Sequence, residues 1–456
     1  MIGAESVSQT IPVHPVQTAY RKIVTQELPP PQVRPLMDMS AHYEPRAMLG
    51  QPPVVWDRAE GFFVYDAYGN QWLDFSSGVL ITNAGHGRKE IAEAIIRQAE
   101  HGLLTSYVFL NEPRVRLVQM ISDLAPAPLK KVFLVSTGSE AVECAIKLSR
   151  THGQNLNPAK KIVISYHHAF HGRTLGAQQI GGIPALKEWI GNLDPDMIQV
   201  PFPDGFRCGD TSFAFFEKAL ESAGVDPKNV CGVVAETYQG GGASFGPREY
   251  FQEMRNWCDK WNVVLTFDEV QAGFGRCGRM WGFEHYGVVP DLMCLGKGIS
   301  SSLPIAAVIG STELMDLYPP GSMTSTHSGN PICCAAAVAN LELILREKLV
   351  ENAALVGEVL HQELWKQLKP YDERIGAIQG KGLVAGIQVT KPNSAQPDAA
   401  LARNVVWHAV GRGLMLFAPV GFGGATVKIC PPLCITREAV IDGVSALAEA
   451  FADGLS

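Results

Sequence analysis

Short apolar runs alternate with amphipathic stretches between about residues 115 and 325 of the chain. Several of the stretches, such as EAVECAIKLSR, repeat apolar residues at a helical spacing. The apolar runs are KKVFLVS, KIVISYH, CGVVAET, NVVLTFDE, DLMCLGK and PIAAVIGS. Strands that alternate with helices in this way predict βαβ units and a mainly parallel sheet.

The flanking segments follow other patterns. Residues 1–40 are rich in proline and carry little periodicity, which predicts an extended arm of the kind that often wraps a partner subunit. Residues 52–85 contain short strand-like pieces, with a hairpin turn predicted at Tyr68-Gly69-Asn70. A long helical stretch after Asn330 leads into mixed strands and helices, which predict a second, smaller domain shared with the N-terminal segment.

These patterns divide the chain into four parts. We expect an N-terminal arm over residues 1–45 and the N-terminal part of the small domain with a linker over 46–115. A large domain is expected over 116–335 and the C-terminal part of the small domain over 336–456.

Composition narrows the range of possible functions. A chain of 456 residues with 46% hydrophobic content buries a large core, which excludes a small binding module. The 38 basic and 45 acidic residues give a net charge of −7 without a basic run, so we expect a small-molecule partner rather than nucleic acid or a membrane. A non-catalytic, cofactor-binding regulator would need a DNA-binding segment, and no helix-turn-helix pattern precedes the domain.

Cysteine usage and the chain start favour a cytoplasmic protein. The ten cysteines form no CxxC pair and are too sparse for a disulfide scaffold, which is typical of a reducing compartment. The start of the chain lacks a signal-peptide pattern, and no apolar run is long enough to span a bilayer. We therefore expect a soluble, cytoplasmic protein.

Asp268 and Lys297 each close an apolar run. One strand and one crossover fit between them, so both side chains are expected at the same edge of a parallel sheet. Such a pair suits pyridoxal phosphate, because an aspartate holds the proton on the pyridine nitrogen and a lysine forms the Schiff base. The alternative is that Asp268 only caps a turn and that Lys297 is solvated surface.

Two further segments point to the same chemistry. Residues 136–141 (STGSEA) follow a strand and open a helix, so free N–H groups and the hydroxyls of Thr137 and Ser139 predict a phosphate cradle. The alternative is a plain helix N-cap. In residues 166–174, Phe170 precedes a His-Gly pair, and we expect its ring to stack on a planar cofactor.

The histidines near Phe170 raise the question of a metal. His167, His168 and His171 lack a cysteine or carboxylate at matching spacing, and a stretch that runs from strand to loop does not converge their side chains. We therefore expect no metal at this site.

The chain resembles the class III (ornithine/4-aminobutyrate type) aminotransferases of the fold type I pyridoxal phosphate enzymes, from about residue 55 to the C-terminus. The motifs that carry this resemblance, in order, are VYDAYGNQWLDFSSG, NAGH, STGSEA, AFHGRT, ETYQGG, FDEVQAGFGR, LGKGIS, THSGNP and ICPPLCI. The resemblance implies an α/β fold in which the large domain binds pyridoxal 5'-phosphate on a mainly parallel seven-stranded sheet flanked by helices. A smaller α+β domain comes from both termini.

The resemblance also implies roles for single residues. Lys297 would be the Schiff-base lysine and, once freed, the base that moves the substrate α-proton. Asp268 would pair with the pyridinium nitrogen and Gln271 with the ring hydroxyl. Gly138 and Ser139 would bind the phosphate.

Three more residues complete the implied cofactor site. Phe170 would cover the ring, and Glu236 would lie close to the cofactor. Thr326 would reach the phosphate from the other subunit, which implies a homodimer or a dimer of dimers.

The substrate side departs from many relatives that use glutamate. Gly241 stands where they have a glutamate, and Lys428 stands where they have an arginine that binds the α-carboxylate. Lysine offers a point charge instead of a planar fork, so glutamate specificity is not expected. Arg173 is a candidate carboxylate ligand or a salt bridge that holds its loop. Tyr107 is expected to form an aromatic pocket wall.

The leading hypothesis is an aminotransferase that passes an amino group from an amine or amino acid to a keto acid or aldehyde through pyridoxamine phosphate. The closest alternative is an amino acid racemase or epimerase of the same fold, because residues 200–208 (VPFPDGFRC) resemble a stretch of isoleucine 2-epimerase-like members. A decarboxylating relative is a further alternative, since such enzymes also lack the glutamate at the position of Gly241.

Overall fold

The computed structural model describes residues 10–456, which form two compact units. The larger unit contains Ile81–Ala84 and Lys89–Ala353. The smaller unit contains the described residues up to Leu80, together with Gly85–Arg88 and Ala354–Ser456. A small domain built from both ends of the chain agrees with the predicted architecture. Within residues 10–456, no helix combines the length and apolarity needed to cross a bilayer.

The described chain contains sixteen strands, which belong to three sheets. In chain order they are β1 (Val16–Gln17), β2 (Lys22–Ile23), β3 (Arg58–Glu60), β4 (Phe63–Tyr65), β5 (Gln71–Asp74), β6 (Lys131–Val135), β7 (Ile162–Tyr166), β8 (Met197–Val200), β9 (Val230–Glu236), β10 (Val264–Asp268), β11 (Leu292–Leu295), β12 (Ala306–Gly310), β13 (Ile375–Lys381), β14 (Val384–Val389), β15 (Leu414–Met415) and β16 (Thr426–Ile429).

Thirteen helical segments accompany these strands within residues 10–456. They are α1 (Arg34–Tyr43), α2 (Ser77–Leu80), α3 (Lys89–Glu100), α4 (Glu112–Leu124), α5 (Gly138–Leu156), α6 (Leu175–Ile180), α7 (Phe213–Ser222), α8 (Arg248–Trp261), α9 (Thr312–Met315), α10 (Pro331–Arg346), α11 (Leu349–Gln367), α12 (Ala399–Gly411) and α13 (Arg437–Leu455).

A seven-stranded sheet forms the centre of the larger unit, in the order β6-β12-β11-β10-β9-β7-β8. Strands β8, β7, β9, β10 and β11 are parallel neighbours, whereas β12 pairs antiparallel with both β11 and β6. Every residue of β9, β10, β11 and β12 is buried, which explains why these strands read as continuous apolar runs. The mainly parallel, seven-stranded sheet confirms the predicted fold class.

The boundaries of the larger unit differ from the predicted ones at 116 and 335. Helices α3 and α4 pack against α10, and most residues of α10 are buried. A helix that is apolar on nearly all sides needs partners on several faces. The larger unit therefore takes in residues 89–115 and extends to Ala353.

The smaller unit contains two sheets. In the first, β1, β2, β5, β4 and β3 are antiparallel neighbours and β15 pairs parallel with β5. The predicted hairpin turn is present between β4 and β5, where Asp66 Oδ1 accepts hydrogen bonds from the N–H groups of Tyr68 (2.9 Å) and Asn70 (3.0 Å). Strands β13, β14 and β16 form the second sheet, and helices α12 and α13 pack against each other.

The predicted N-terminal arm needs a correction. Its residues 1–9 lie outside the described part of the chain, and α1 has no buried residue, but several apolar residues before α1 are anchored in the core. Ile11, Ile23 and Leu28 are at most 3% exposed, and β2 joins the first sheet through Lys22 and Gln71. The proline content hid these contacts, because isolated apolar residues between prolines carry no periodic signal.

Candidate active site

A cavity of about 160 Å³ lies at the carboxyl ends of the parallel strands in the larger unit. Residues that follow β6, β7, β9, β10 and β11 supply its wall, as is usual for ligand sites in open α/β sheets. The lining residues are Thr137, Gly138, Ser139, Phe170, His171, Gly172, Glu236, Asp268, Val270, Gln271 and Lys297. The cavity thus brings together seven of the eight residues of the predicted cofactor site, all except Thr326.

Asp268 is the last residue of β10, where the ladder places it opposite Glu236 of β9 and Cys294 of β11. Its Oδ2 lies 2.8 Å from His171 Nδ1, and its Oδ1 accepts a hydrogen bond from the N–H of Val270 at 3.1 Å. Both carboxylate oxygens are therefore held by the protein, so that the carboxylate has one orientation.

His171 is a buried residue that sequence reasoning treated only as an unlikely metal ligand. Burial by itself lowers the pKa of His171, but the hydrogen bond and charge of Asp268, together with the charge of Glu236, raise it above its ordinary value. The hydrogen bond to Asp268 thus favours the protonated form of His171. The sequence does contain a signal for this role of His171. The residue follows Phe170 in a loop that leaves β7 at the same sheet edge as Asp268.

Lys297 begins a short 3₁₀ turn, Lys297–Ile299, and only Gly296 separates it from the end of β11. Its φ of 42° lies in the left-handed region, which is costly for a residue with a side chain and is often found at functional sites. Burial lowers the pKa of Lys297, although the charges of Asp268 and Glu236 oppose this shift. The surroundings therefore favour a neutral, nucleophilic amine more than water does.

Glu236 ends β9 and is 4% exposed. Its Oε2 accepts a hydrogen bond from the N–H of Phe170 at 3.0 Å, and its Oε1 accepts one from the N–H of Gly240 at 2.9 Å. Burial raises the pKa of this carboxyl to about 7. Glu236 thus fixes two loops that frame the cavity.

The N-terminus of α5 forms another part of the wall. Thr137 caps the helix through a reciprocal capping box with Glu140, so Ser139 is not the cap and lines the cavity instead. Gly172 has a φ of 133°, and a Cβ there would lie 2.1 Å from Ser139 Oγ. The loop that carries Gly172 is therefore pressed against the helix N-terminus, whose free N–H groups and dipole favour an anion.

These residues fit pyridoxal phosphate. The N-terminus of α5 suits a phosphate, and the oriented carboxylate of Asp268 suits a protonated ring nitrogen. Phe170 and Val270 offer apolar contacts for a ring, and Lys297 offers the amine that carries the cofactor. A Cβ on Gly240 would lie 2.3 Å from Gln271 Nε2, so this glycine leaves room for the amide at the cavity.

The remaining predicted site residues lie elsewhere. Tyr107 is 42% exposed in the loop between α3 and α4, and its hydroxyl lies 3.3 Å from Thr324 Oγ1. Thr326 is exposed in the loop before α10, and Arg173 is exposed with its Cζ 5.8 Å from the centre of the Phe170 ring. Lys428 is buried in β16 of the smaller unit.

The three histidines around Phe170 do not converge. The rings of His167 and His168 are 6.4 Å apart, while His171 faces Asp268. Among residues 10–456, no group of metal-ligating side chains includes any of the three.

Comparison with known proteins places this geometry in a family. The family model for class-III aminotransferases matches residues 46–451. An acetylornithine/succinyldiaminopimelate aminotransferase of Yersinia pestis is 33% identical over 397 residues, which cover 87% of this chain and 92% of that protein. An isoleucine 2-epimerase of Lentilactobacillus buchneri is 31% identical over 425 residues, which cover 90% and 92% of the two chains.

A solved structure leads to the same result. The pyridoxal-phosphate-bound form of an amine transaminase from an uncultivated Pseudomonas species superposes with a TM-score of 0.80 and 28% identity, covering 87% of this chain and 94% of that one. These findings confirm the predicted family, fold and cofactor. The chain therefore belongs to the class-III aminotransferase family and is a pyridoxal-phosphate-dependent aminotransferase that acts on small-molecule amino donors and acceptors.

Proposed function

We propose that Lys297 carries the cofactor and moves the substrate proton, while Asp268 holds a proton at the ring nitrogen. The observation that carries this assignment is the placement of both residues in one cavity, with Asp268 oriented by His171. Bound there, pyridoxal phosphate supplies an electron sink for the negative charge that develops at the substrate carbon. The carboxylate of Asp268 strengthens the electron sink, since it stabilises a positive charge on the ring nitrogen.

Lys297 acts as a base only when its amine is free and uncharged. Burial, which lowers the pKa of Lys297, favours this neutral form. The amine would then take the proton from the carbon that bears the substrate nitrogen and return it to the carbon on the other side of that nitrogen. Glu236 supports the step by fixing Phe170 and the Gly240 loop through its two oxygens.

We infer that the substrates differ from the glutamate and 2-oxoglutarate couple. Many relatives pair a glutamate with an arginine at the positions of Gly241 and Lys428. In this chain the glutamate is absent, and a lysine replaces the arginine. A lysine binds a carboxylate as a point charge, which discriminates less sharply than a bidentate guanidinium. Lys428 is proposed to bind an acidic group of a co-substrate, and Arg173 and Tyr107 are proposed to contact the substrate.

We also propose that the active enzyme is a homodimer, alone or as a dimer of dimers. The loop between α3 and α4 exposes a series of large apolar side chains, of which Phe109 is 75% and Leu110 is 83% exposed. Protein–protein contact is one common role of exposed apolar surfaces of this kind. Thr326 does not line the cavity of its own chain, which supports a contribution to the phosphate site of the partner.

A cytoplasmic location is proposed from cysteine chemistry. All ten cysteines of the chain are free, and seven of them are buried. Burial raises the pKa of Cys144 and Cys231 to about 12 each, which keeps these thiols protonated and unreactive. A protein that keeps ten free thiols suits a reducing compartment.

A racemase or epimerase is the second candidate, and the epimerase relative is the observation that favours it. The segment 200–208 forms a tight turn in which Asp204 Oδ1 accepts hydrogen bonds from the N–H groups of Phe206 (3.0 Å), Arg207 (2.7 Å) and Cys208 (2.9 Å). In racemisation or epimerisation, the proton that the enzyme removes from the substrate α-carbon returns to the same carbon.

A single half-reaction distinguishes the two candidates. Holoenzyme is mixed with a panel of amines, diamines and amino acids without an acceptor, and its visible spectrum is followed. We expect the cofactor band to disappear as one keto product forms per site, because the amino group stays on the cofactor. A band that persists while the substrate α-proton exchanges with deuterated solvent would contradict transamination and favour racemisation.

The same assay tests the role of Lys297. We expect Lys297→Ala to lower the rate at least about a hundredfold, since it removes the base. Lys228→Ala, which removes an exposed lysine of the 3₁₀ turn Pro227–Asn229, serves as the matched control and should leave the rate unchanged.

Replacing His171 should change the pH dependence of stability. The pKa of His171 is raised in the folded protein, so its pairing with Asp268 stabilises the fold fully below the unfolded pKa and is lost as pH rises through the folded pKa. In the cofactor-free protein, we expect His171→Gln to lower the unfolding temperature more at about pH 6 than at about pH 9. In the holoenzyme, kcat should fall at least about tenfold with little change in the donor KM.

His167→Gln is the control for this variant, because His167 lies outside the cavity lining. If the two variants lose the same stability at both pH values, the imidazolium of His171 has no part in holding Asp268.

Hybrid dimers test the contribution of Thr326. We expect Thr326→Ala to weaken cofactor binding about tenfold, since a hydrogen bond to a charged phosphate is lost. A hybrid of one Lys297→Ala chain with one Thr326→Ala chain should recover one site of wild-type cofactor affinity, because that site combines the intact residues of both chains. If the site with the intact Lys297 keeps the weak cofactor affinity of Thr326→Ala, Thr326 acts in the site of its own chain.

Substitution of Lys428 tests recognition of acidic co-substrates. We expect Lys428→Met to raise KM about tenfold for acidic acceptors and to leave KM for uncharged acceptors unchanged, because the substitution keeps the buried volume and removes the charge. Lys381→Met, on the exposed part of β13, is the control. Unchanged kinetics with every acidic acceptor would rule out this role for Lys428.

A further inference from the structure

Three metal-ligating side chains meet in the smaller unit at a place that the catalytic residues do not use. His14 comes from the N-terminal segment, His408 from α12 and Asp453 from α13. His14 Nε2 lies 3.1 Å from His408 Nδ1 and 3.4 Å from Asp453 Oδ2, and His408 Nδ1 lies 3.8 Å from the same oxygen. Three residues that are far apart in the sequence thus present two ring nitrogens and one carboxylate oxygen to one point.

We propose that His14, His408 and Asp453 bind a divalent transition-metal ion such as Zn²⁺. Atoms separated by 3.1, 3.4 and 3.8 Å lie on a circle with a radius of about 2 Å, which is the length of a zinc bond to imidazole or carboxylate. An ion near the centre of this circle contacts all three atoms without a movement of the backbone. Two imidazoles and one carboxylate are a donor set that zinc and its first-row neighbours accept.

The exposure of the three residues suits this role. The side chains are 27% exposed for His14, 21% for His408 and 28% for Asp453. An ion can therefore enter from solvent and keep a water molecule as its fourth ligand.

Arg412 orients the carboxylate of Asp453 and also competes with a metal ion for it. Its Nε donates to Asp453 Oδ2 at 2.9 Å, Nη2 donates to the same oxygen, and Nη1 donates to Glu449 Oε2 at 2.8 Å. Two carboxylates and one guanidinium leave the cluster with one net negative charge, which attracts a cation. A metal ion at Asp453 also feels repulsion from the guanidinium, so that removal of Arg412 should strengthen binding.

The N-terminal segment is positioned for this contact by close packing. The N–H of His14 donates to the carbonyl oxygen of Gly411 at 3.0 Å. A Cβ on Gly411 would lie 1.7 Å from the carbonyl oxygen of Pro12, so only glycine allows the segment to pass here. Because the backbone already fixes His14 over the end of α12, the ion fastens the segment to α12 and α13 and has a structural role.

Equilibrium dialysis against ZnCl₂ tests the proposal. Holoenzyme is first stripped with a chelator and desalted, and bound zinc per chain is then measured. We expect one tight equivalent in the wild type and at least about tenfold weaker binding in His408→Gln and in Asp453→Asn, each of which removes one ligand. His101→Gln, an exposed histidine in the larger unit, is the matched control and should bind zinc as the wild type does.

Two further measurements keep the test independent of the folding of one variant. Arg412→Gln should bind zinc about tenfold more tightly, since the repulsion between guanidinium and ion is lost. Zinc added to chelator-treated wild type should raise its unfolding temperature, because the ion binds the folded chain. Absence of a tight equivalent in the wild type, or equal affinity in His408→Gln, Asp453→Asn and the control, would overturn the proposal and leave only a hydrogen-bonded cluster.

Discussion

The parallel pairing of β9, β10 and β11 is the constraint on which the active site depends. Parallel strands end at the same edge of a sheet, so Glu236, Asp268 and Lys297 leave the ladder side by side. Strands β9, β10, β11 and β12 are buried at every residue, so a change of register would disrupt side-chain packing on both faces of the sheet. The chemistry at the edge is thus fixed by the packing of residues that take no part in it.

Burial and charge at this edge oppose each other, and the balance decides which groups are ionised. Burial raises the pKa of Glu236 to about 7 and lowers that of Lys297, so it favours neutral forms of both residues. The pKa of His171 moves upward in spite of burial, since Asp268 lies 2.8 Å away. The surroundings therefore favour the charged form of His171 and the neutral form of Lys297 in the same cavity, a combination that uniform burial or uniform exposure could not produce.

Family membership and substrate choice rest on different parts of the molecule. The cofactor residues lie together in one unit, at the ends of buried strands, where geometry is rigid. The residues proposed for substrate binding, among them Tyr107 and Arg173, lie in exposed loops. Loops change without loss of the core, which explains how aminotransferases and an epimerase share this scaffold at about the same identity.

The sequence by itself determined the βαβ pattern, the strand ends that carry Asp268 and Lys297, and the helix start at Gly138, because each is encoded by local periodicity and by neighbours in the chain. The tertiary structure alone decided that His171 is the partner of Asp268 and that Ile11, Ile23 and Leu28 of the N-terminal segment are buried. It also brought together His14 and His408, which are 394 residues apart. Contacts of this kind follow from the packing of whole helices and strands, so the spacing of residues along the chain does not predict them.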